Sequence, residues 1–130
     1  MTITQEERVL VVEDEQKIGQ LLKRQLADAG YHAMVATTGN QGLVLAAEQR
    51  PELVILDLRL PDMTGYEVCR ALRQHYPSPV MPVIMLTASL QPVEQLRGFA
   101  YGADAYFTKP YDWDELLKAI ELLLGKRTLA

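Results

Sequence analysis

Short apolar runs alternate along this chain with longer amphipathic segments, and this alternation limits the fold more than any other feature. Each run is too short for a helix and is nearly free of polar breaks. Such runs are typical of parallel strands that are buried on both faces of a sheet. The second and fifth runs are weaker, so we expect them near the sheet edges. The five predicted strands lie at residues 9–12, 32–36, 53–56, 83–86 and 105–107.

The segments between these runs carry helical signals. The first has apolar residues at three- and four-residue spacings, which predict one face of a helix: Ile18, Leu21, Leu22, Leu26 and Ala29. Capping boxes mark three further helix starts: Thr38 with Gln41, Thr64 with Glu67, and Asp112 with Glu115. Pro92 suits the first turn of a helix before the fifth strand. Gly30 suits the left-handed position that follows the first helix.

Strict alternation of strands and helices predicts an α/β fold, a doubly wound parallel sheet with helices on both faces. Right-handed crossovers then leave few topologies. We expect a single domain over residues 1–130, with a core of about 7–125 and a short C-terminal tail that either ends the chain or leads to a linker. In sheets of this type, ligands bind beyond the carboxyl ends of the strands.

Polar residues gather at the predicted carboxyl ends of four strands: Glu13 and Asp14, Asp57, Thr87, and Lys109. Three neighbouring carboxylates repel one another, and the charge is relieved by a hard cation such as Mg²⁺ and by the lysine ammonium. Phosphoryl transfer requires these same parts: an oxygen nucleophile, a metal and donors to the phosphoryl oxygens. Asp57 is the best candidate nucleophile, which would form an acyl phosphate, because it ends the most apolar run.

Four segments resemble the signature segments of response-regulator receiver domains and occur in the family's order: VLVVEDE, LVILDLRLPDMTGYEV, PVIMLTA and GADAYFTKPY. The alternating pattern around them covers nearly the whole chain. The resemblance implies a five-stranded (βα)5 flavodoxin-like fold with strand order 2-1-3-4-5.

The resemblance also implies roles for individual residues. Asp57 would accept a phosphoryl group from the phosphohistidine of a sensor histidine kinase or a histidine phosphotransfer domain. Asp57, Asp14 and the backbone carbonyl of Arg59 would hold Mg²⁺, with Glu13 acting through water. The family varies at Arg59, and we hypothesise that its side chain tunes the lifetime of the phosphorylated state.

Thr87 and Lys109 would contact phosphoryl oxygens. Tyr106 matches the switch aromatic, and this role is preferred to the alternative, in which a tyrosine near a sheet edge packs half-buried with its hydroxyl in water. The bond before Pro110 would be cis, which an X-Pro bond tolerates. Phosphorylation would shift an existing conformational equilibrium and remodel the surface of the fourth helix, fifth strand and fifth helix, Leu90 to Ala100 with residues 105–107 and 113–124. That surface would form a homodimer or meet an effector. The domain would not be an enzyme beyond its own phosphoryl transfer and dephosphorylation.

Other functions fit these residues less well. A receiver-like module that binds partners without phosphorylation conflicts with the intact set of acids, threonine and lysine. A hydrolase of the haloacid dehalogenase type needs a second aspartate two residues after the nucleophile, where this chain has Arg59. Neither glycine-rich nucleotide motif is present, and an acidic rim would repel the phosphate of a flavin.

Composition and the length of the apolar runs disfavour several other classes of protein. A net charge of −4 disfavours nucleic-acid binding by this domain. The single Cys69 rules out an internal disulfide. No apolar run approaches the ~18 residues of a membrane span, and no secretory signal is seen. We therefore expect a cytoplasmic domain that does not contact membranes.

Overall fold

The computed structural model describes residues 6–88 and 91–126, and over these residues five strands alternate with five helices. The predicted strands are confirmed, and three of them extend by one residue at one end. In chain order the elements are β1 (Arg8–Val12), α1 (Gln16–Asp28), β2 (His32–Ala36), α2 (Gly39–Gln49), β3 (Leu53–Leu56), α3 (Gly65–His75), β4 (Val83–Thr87), α4 (Pro92–Ala100), β5 (Ala105–Thr108) and α5 (Trp113–Leu123).

The strands form one parallel sheet in the order β2-β1-β3-β4-β5, which confirms the expected topology. The two weaker runs, β2 and β5, are the edge strands. Every residue of β3 and β4 is buried, as the uninterrupted apolar runs predicted. The direction in which successive strands are added to the sheet reverses between β1 and β3. The carboxyl ends of these two strands therefore flank the crevice in which such sheets bind ligands.

Two apolar cores cover the two faces of the sheet, because successive strand side chains point to opposite faces. One core packs strand residues such as Leu10, Leu56 and Met85 against α2 and α3 residues, among them Ala46 and Leu72. The other packs strand residues against α1 and α5, through Leu22, Leu26, Leu116 and Ile120. Each fully buried aliphatic side chain contributes about 1.5–3 kcal/mol. This burial holds the rim of the sheet in place.

The helix ends follow the predicted signals. The side chains of Thr38, Thr64 and Asp112 accept hydrogen bonds from the backbone amides of Gln41, Glu67 and Glu115. Pro92 begins α4, and Gly30 has a φ of 95° just after α1. The predicted apolar face of α1 was too wide. Leu22 and Leu26 are fully buried, whereas Leu21 is 47% exposed, because it lies about 140° around the helix axis from Leu26.

Arg73 and Asp104 form an ion pair of 2.8 Å that ties α3 to the start of β5. The Arg73 guanidinium also donates to the carbonyls of Gly102 and Met81, at 2.9 and 2.6 Å. The Asp104 carboxylate accepts a 2.8 Å hydrogen bond from the amide of Val83 at the start of β4. This network closes the end of the sheet opposite the acidic rim.

Two parts of the predicted segments lie outside the described residues: Leu90, in the surface that phosphorylation is expected to remodel, and residues 127–130 of the tail. Among the residues that are described, no helix is both long and apolar enough to cross a membrane.

Candidate functional site

The acidic rim lies where the sequence predicted it, at the carboxyl ends of the strands. Glu13, Asp57 and Thr87 are buried, with 2%, 6% and 2% of their surface exposed, while Asp14 is exposed. The amide of Asp57 donates to the Val12 carbonyl at 2.9 Å, which continues the β1–β3 pairing. Extension of this ladder past the strands brings the two acidic segments side by side.

One oxygen from each of Glu13, Asp14 and Asp57 lies within 4.8 Å of the others. The Lys109 ammonium lies between two of these acids, 2.6 Å from Glu13 Oε1 and 3.2 Å from Asp57 Oδ2. The loop after β5 carries this lysine, and its amide donates to the Thr87 carbonyl at 2.8 Å. The peptide bond between Lys109 and Pro110 is cis, as predicted. The structure therefore brings the side chains of Glu13, Asp14, Asp57 and Lys109 together, and the Thr87 backbone is bonded to that of Lys109.

Burial and charge shift the protonation of this cluster. Burial raises the pKa of Glu13 to about 7, and the neighbouring Asp57 adds to the increase, while the hydrogen bond with Lys109 opposes it. Burial lowers the pKa of Lys109, but its hydrogen bond with Glu13 and the charges of Asp57 and Glu13 outweigh burial, and the net shift is upward. Near neutral pH, this cluster therefore combines a charged lysine with a carboxyl group that is only partly ionised.

The donor set fits a hard divalent cation. Carboxylate oxygens are the ligands that Mg²⁺ takes in proteins, usually with waters in the remaining positions, and the exposed Asp14 leaves a path for those waters. The backbone of Arg59 runs beside the cluster, because its amide donates to Asp57 Oδ1 at 3.4 Å. Glu13, Asp14 and Asp57 are thus the groups able to hold such an ion, and the backbone of Arg59 lies next to them.

A short closed loop, residues 59–64, follows the phosphoacceptor candidate. Arg59 and Thr64 form an antiparallel bridge, and the Gly65 amide donates to the Leu58 carbonyl at 2.6 Å. A Cβ atom at Gly65 would lie only 2.4 Å from the Asp57 carbonyl oxygen, so a glycine is required at this close approach. The Arg59 side chain is exposed and lines a cavity of about 190 Å³ together with Arg97.

Tyr106 is half-buried on β5, paired in register with Met85. A Cβ atom at Gly98 of α4 would lie 3.5 Å from its ring, so the ring packs against the helix backbone. The ring therefore lies at the α4 interface, and its role as a switch stays a prediction.

Sequence reasoning missed two groups beside this site. Asp62 accepts hydrogen bonds from the amides of Gly39 and Asn40 at the start of α2, at 2.8 and 2.9 Å. The hydroxyl of Tyr66 on α3 contacts Glu94 on α4, donating to the backbone carbonyl at 3.0 Å and also reaching the carboxylate. No local signal marks either contact, because the partners lie 23 and 28 residues apart in the chain.

Comparison with known proteins agrees with this geometry. The family model described as the response regulator receiver domain matches residues 9–121. The DNA-binding dual master transcriptional regulator RpaA from Synechocystis sp. is 40% identical over 119 residues, which cover 92% of this chain and 49% of that protein. The chain therefore spans about half the length of this curated relative.

Solved structures give the same result. A CheY-like response regulator receiver domain protein from Methanospirillum hungatei is 30% identical with a TM-score of 0.87, covering 93% of this chain and 95% of that one. The BeF3-activated N-terminal receiver domain of RstA from Klebsiella pneumoniae is 27% identical with a TM-score of 0.86, covering 92% of this chain and 100% of that one.

Proposed function

This chain belongs to the response regulator receiver domain family, and we propose that in this member Asp57 accepts a phosphoryl group from a phosphohistidine donor. The observation that carries the proposal is the Lys109 ammonium held 3.2 Å from Asp57 Oδ2 within a cluster of three carboxylates. An ordinary structural role, such as an acid at a turn after a strand, would account for one of these residues. Phosphoryl transfer accounts for all of them.

In the proposed reaction, a carboxylate oxygen of Asp57 attacks the phosphorus atom. A new P–O bond forms, the P–N bond to the donor histidine breaks, and the departing imidazole nitrogen keeps the electron pair and takes up a proton. Lys109 offsets the charge of the phosphoryl oxygens, and the Thr87 hydroxyl donates to another of them. The domain acts on itself in this step, so we propose that it is a self-modifying acceptor, not an enzyme that acts on other substrates.

Glu13, Asp14, Asp57 and the Arg59 carbonyl would hold the Mg²⁺ ion that the family implies. Such an ion, when bound, neutralises charge on the nucleophile and on the phosphoryl oxygens. The three clustered carboxylates support this assignment, since without a cation one of them retains a proton near neutral pH.

The phosphodonor would dock on a groove beside the site. This groove, of about 470 Å³, lies between α1 and the loop after β5, and its wall includes Ile18, Leu21, Tyr111 and Lys109. Leu21 is 47% exposed and provides an apolar contact in this groove, which shares Lys109 with the acceptor site. The domain that carries the phosphohistidine of a sensor histidine kinase or a histidine phosphotransfer protein would contact this groove.

The signal would leave through the surface of α4, β5 and α5. Three large apolar side chains on α4 are strongly exposed: Val93 at 57%, Leu96 at 68% and Phe99 at 47%. Exposed apolar side chains grouped on one short helix favour a protein contact. We propose that movement of Thr87 toward the phosphoryl group lets Tyr106 shift against α4, and that the altered surface forms a homodimer or binds an effector in the cytoplasm. Nucleic-acid binding is not assigned to this domain.

Intact mass spectrometry tests the phosphoacceptor role. The chain is incubated with acetyl phosphate and Mg²⁺, alongside Asp57→Asn and, as a matched control, Asp28→Asn at the exposed end of α1. We expect a gain of one phosphoryl group in the wild type and the control, no gain in Asp57→Asn, and no gain in EDTA.

An unmodified wild type that is folded and binds Mg²⁺ would contradict the proposal. That result would favour the alternative, a receiver-like module that binds its partners without phosphorylation.

Size-exclusion chromatography with light scattering, with and without BeF3, tests the surface of α4, β5 and α5, since a related domain is BeF3-activated. A dimer that forms with BeF3 and is lost in Leu96→Asp would support the homodimer.

A further inference from the structure

The amino terminus of α2 is joined to the loop that follows Asp57. An α-helix leaves its first backbone amides without partners inside the helix. The Thr38 hydroxyl accepts from the Gln41 amide at 3.0 Å. The two carboxylate oxygens of Asp62 accept from Gly39 and Asn40, at 2.8 and 2.9 Å. The cap residue and the distant loop therefore share the amides of the first turn.

A second contact joins the same two segments. A Cβ atom at Gly39 would lie 2.4 Å from Met63 Cγ and 2.7 Å from its sulfur, so the Met63 side chain occupies the space that any larger residue at position 39 would fill. Asp62 and Met63 are thus consecutive residues of loop 59–64 that both contact the start of α2. The tip of the loop is attached by its side chains.

The other end of this loop reaches the acidic cluster. The Arg59 amide donates to Asp57 Oδ1 at 3.4 Å, and the Arg59–Thr64 bridge closes the loop behind it. Only two residues separate Arg59 from Asp62, so the tip of the loop and the Arg59 backbone are close along the chain. The loop that borders the proposed Mg²⁺ site is therefore held at its tip by contacts outside that site.

We propose that Asp62 is a positioning residue for the cation site, holding loop 59–64 against α2 so that the Arg59 carbonyl is presented toward the carboxylates. This inference rests on the proposed function, which supplies the Arg59 carbonyl as a ligand. Both amide hydrogen bonds lower the pKa of Asp62, so the side chain remains an acceptor through neutral pH. Residues that orient metal ligands contribute substantially to metal affinity without touching the metal.

The test compares Asp62→Ala with Thr38→Ala. Both variants remove an acceptor from the first turn of α2, but only Asp62→Ala releases the loop. Isothermal titration calorimetry measures the Mg²⁺ dissociation constant of each folded full-length variant. We expect about a tenfold increase for Asp62→Ala and a value within about twofold of the wild type for Thr38→Ala. Asp62→Asn keeps one acceptor oxygen at nearly the same size and is expected to lie between them, which provides a second variant if Asp62→Ala does not fold.

Loss of a negative charge near the site would also weaken cation binding, and salt separates the two causes. In about 1 M KCl the screening length falls to about 3 Å, so a purely electrostatic difference between Asp62→Ala and wild type would largely disappear. A positioning effect persists. Phosphorylation by acetyl phosphate adds a second readout: the variant should be slow at limiting Mg²⁺ and approach the wild-type rate when Mg²⁺ saturates.

Wild-type Mg²⁺ affinity in Asp62→Ala would overturn the inference and leave Asp62 as a helix cap only. Equal weakening by Thr38→Ala would also overturn it, because the effect would then follow helix stability. Neither result affects the proposed function, which instead fails if the wild type itself shows no Mg²⁺-dependent phosphorylation.

Discussion

Replacing Glu13 by Gln is expected to remove a pH-dependent weakness of the metal-free domain. Glu13 is 2% exposed and shares the rim with Asp14, Asp57 and Lys109. Burial is the largest cause that raises its pKa, and Asp57 adds to it. Gln has nearly the same size, can accept from the Lys109 ammonium and does not titrate. The variant therefore keeps the packing and removes the buried charge.

The magnitude follows from the shift in pKa of Glu13, from 4.5 to about 7. The folded protein binds this proton more tightly than the unfolded chain does. The resulting stability is complete below about pH 4.5 and is lost as the pH rises through about 7. A shift of about 2.5 units at about 1.36 kcal/mol each corresponds to about 3 kcal/mol. Partial ionisation of the unfolded chain at pH 5 reduces the change between about pH 5 and about pH 8 to about 2–3 kcal/mol.

Urea unfolding in EDTA, followed by circular dichroism at about pH 5 and about pH 8, measures this difference. The free energy of unfolding of the wild type should fall by about 2–3 kcal/mol more than that of Glu13→Gln over this range. Glu48→Gln, at an exposed position on α2, provides a matched control that should follow the wild type. Identical pH dependence in the wild type and Glu13→Gln would refute the account of a buried, proton-retaining carboxyl group.

Three further outcomes are expected. Asp104→Ala leaves the Arg73 guanidinium, which is 16% exposed, without its ion-pair partner. Urea unfolding should show a free energy of unfolding lower by about 2–4 kcal/mol, while the Mg²⁺ affinity stays at the wild-type value. A decrease below about 0.5 kcal/mol would argue against a stabilising role of this network. Tyr66→Phe removes the hydroxyl that donates to the Glu94 carbonyl and should cost about 1 kcal/mol with faster amide hydrogen exchange in α4; unchanged exchange there would show that α4 is held by other contacts. Arg59→Asn should change the half-life of the phosphorylated protein by more than about twofold, because it removes the exposed cation at the start of the loop that follows the acceptor. An identical half-life would contradict the lifetime hypothesis.

Local chemistry along the chain was enough to predict much of this molecule. Each strand of the sheet is an apolar run, and a strand that is buried on both faces must lack polar side chains along its length. The caps at Thr38, Thr64 and Asp112 were also readable, because donor and acceptor lie three residues apart. The placement of Asp57 and Lys109 on one rim followed from the parallel direction of the strands alone.

Other features depend on which elements meet in space. The strand order and the cis bond before Pro110 were expected only through the family resemblance. The exposure of Leu21 depends on how far the sheet covers α1. The apolar residues of a helix do not by themselves predict how wide a face the helix buries.

The contacts that position the site are the clearest case of what the tertiary structure alone decided. Asp62 reaches the start of α2 across 23 residues, and Tyr66 reaches α4 across 28. Asp62 follows a proline and Tyr66 lies in a helix, and such residues can make many different local contacts. The sequence therefore identifies the partner of neither residue. The alternating elements and the polar rim follow from residue order, because periodicity and strand direction are local properties. Only packing determined how the rim is held, because hydrogen bonds between distant segments depend on distances that arise when the sheet and helices assemble.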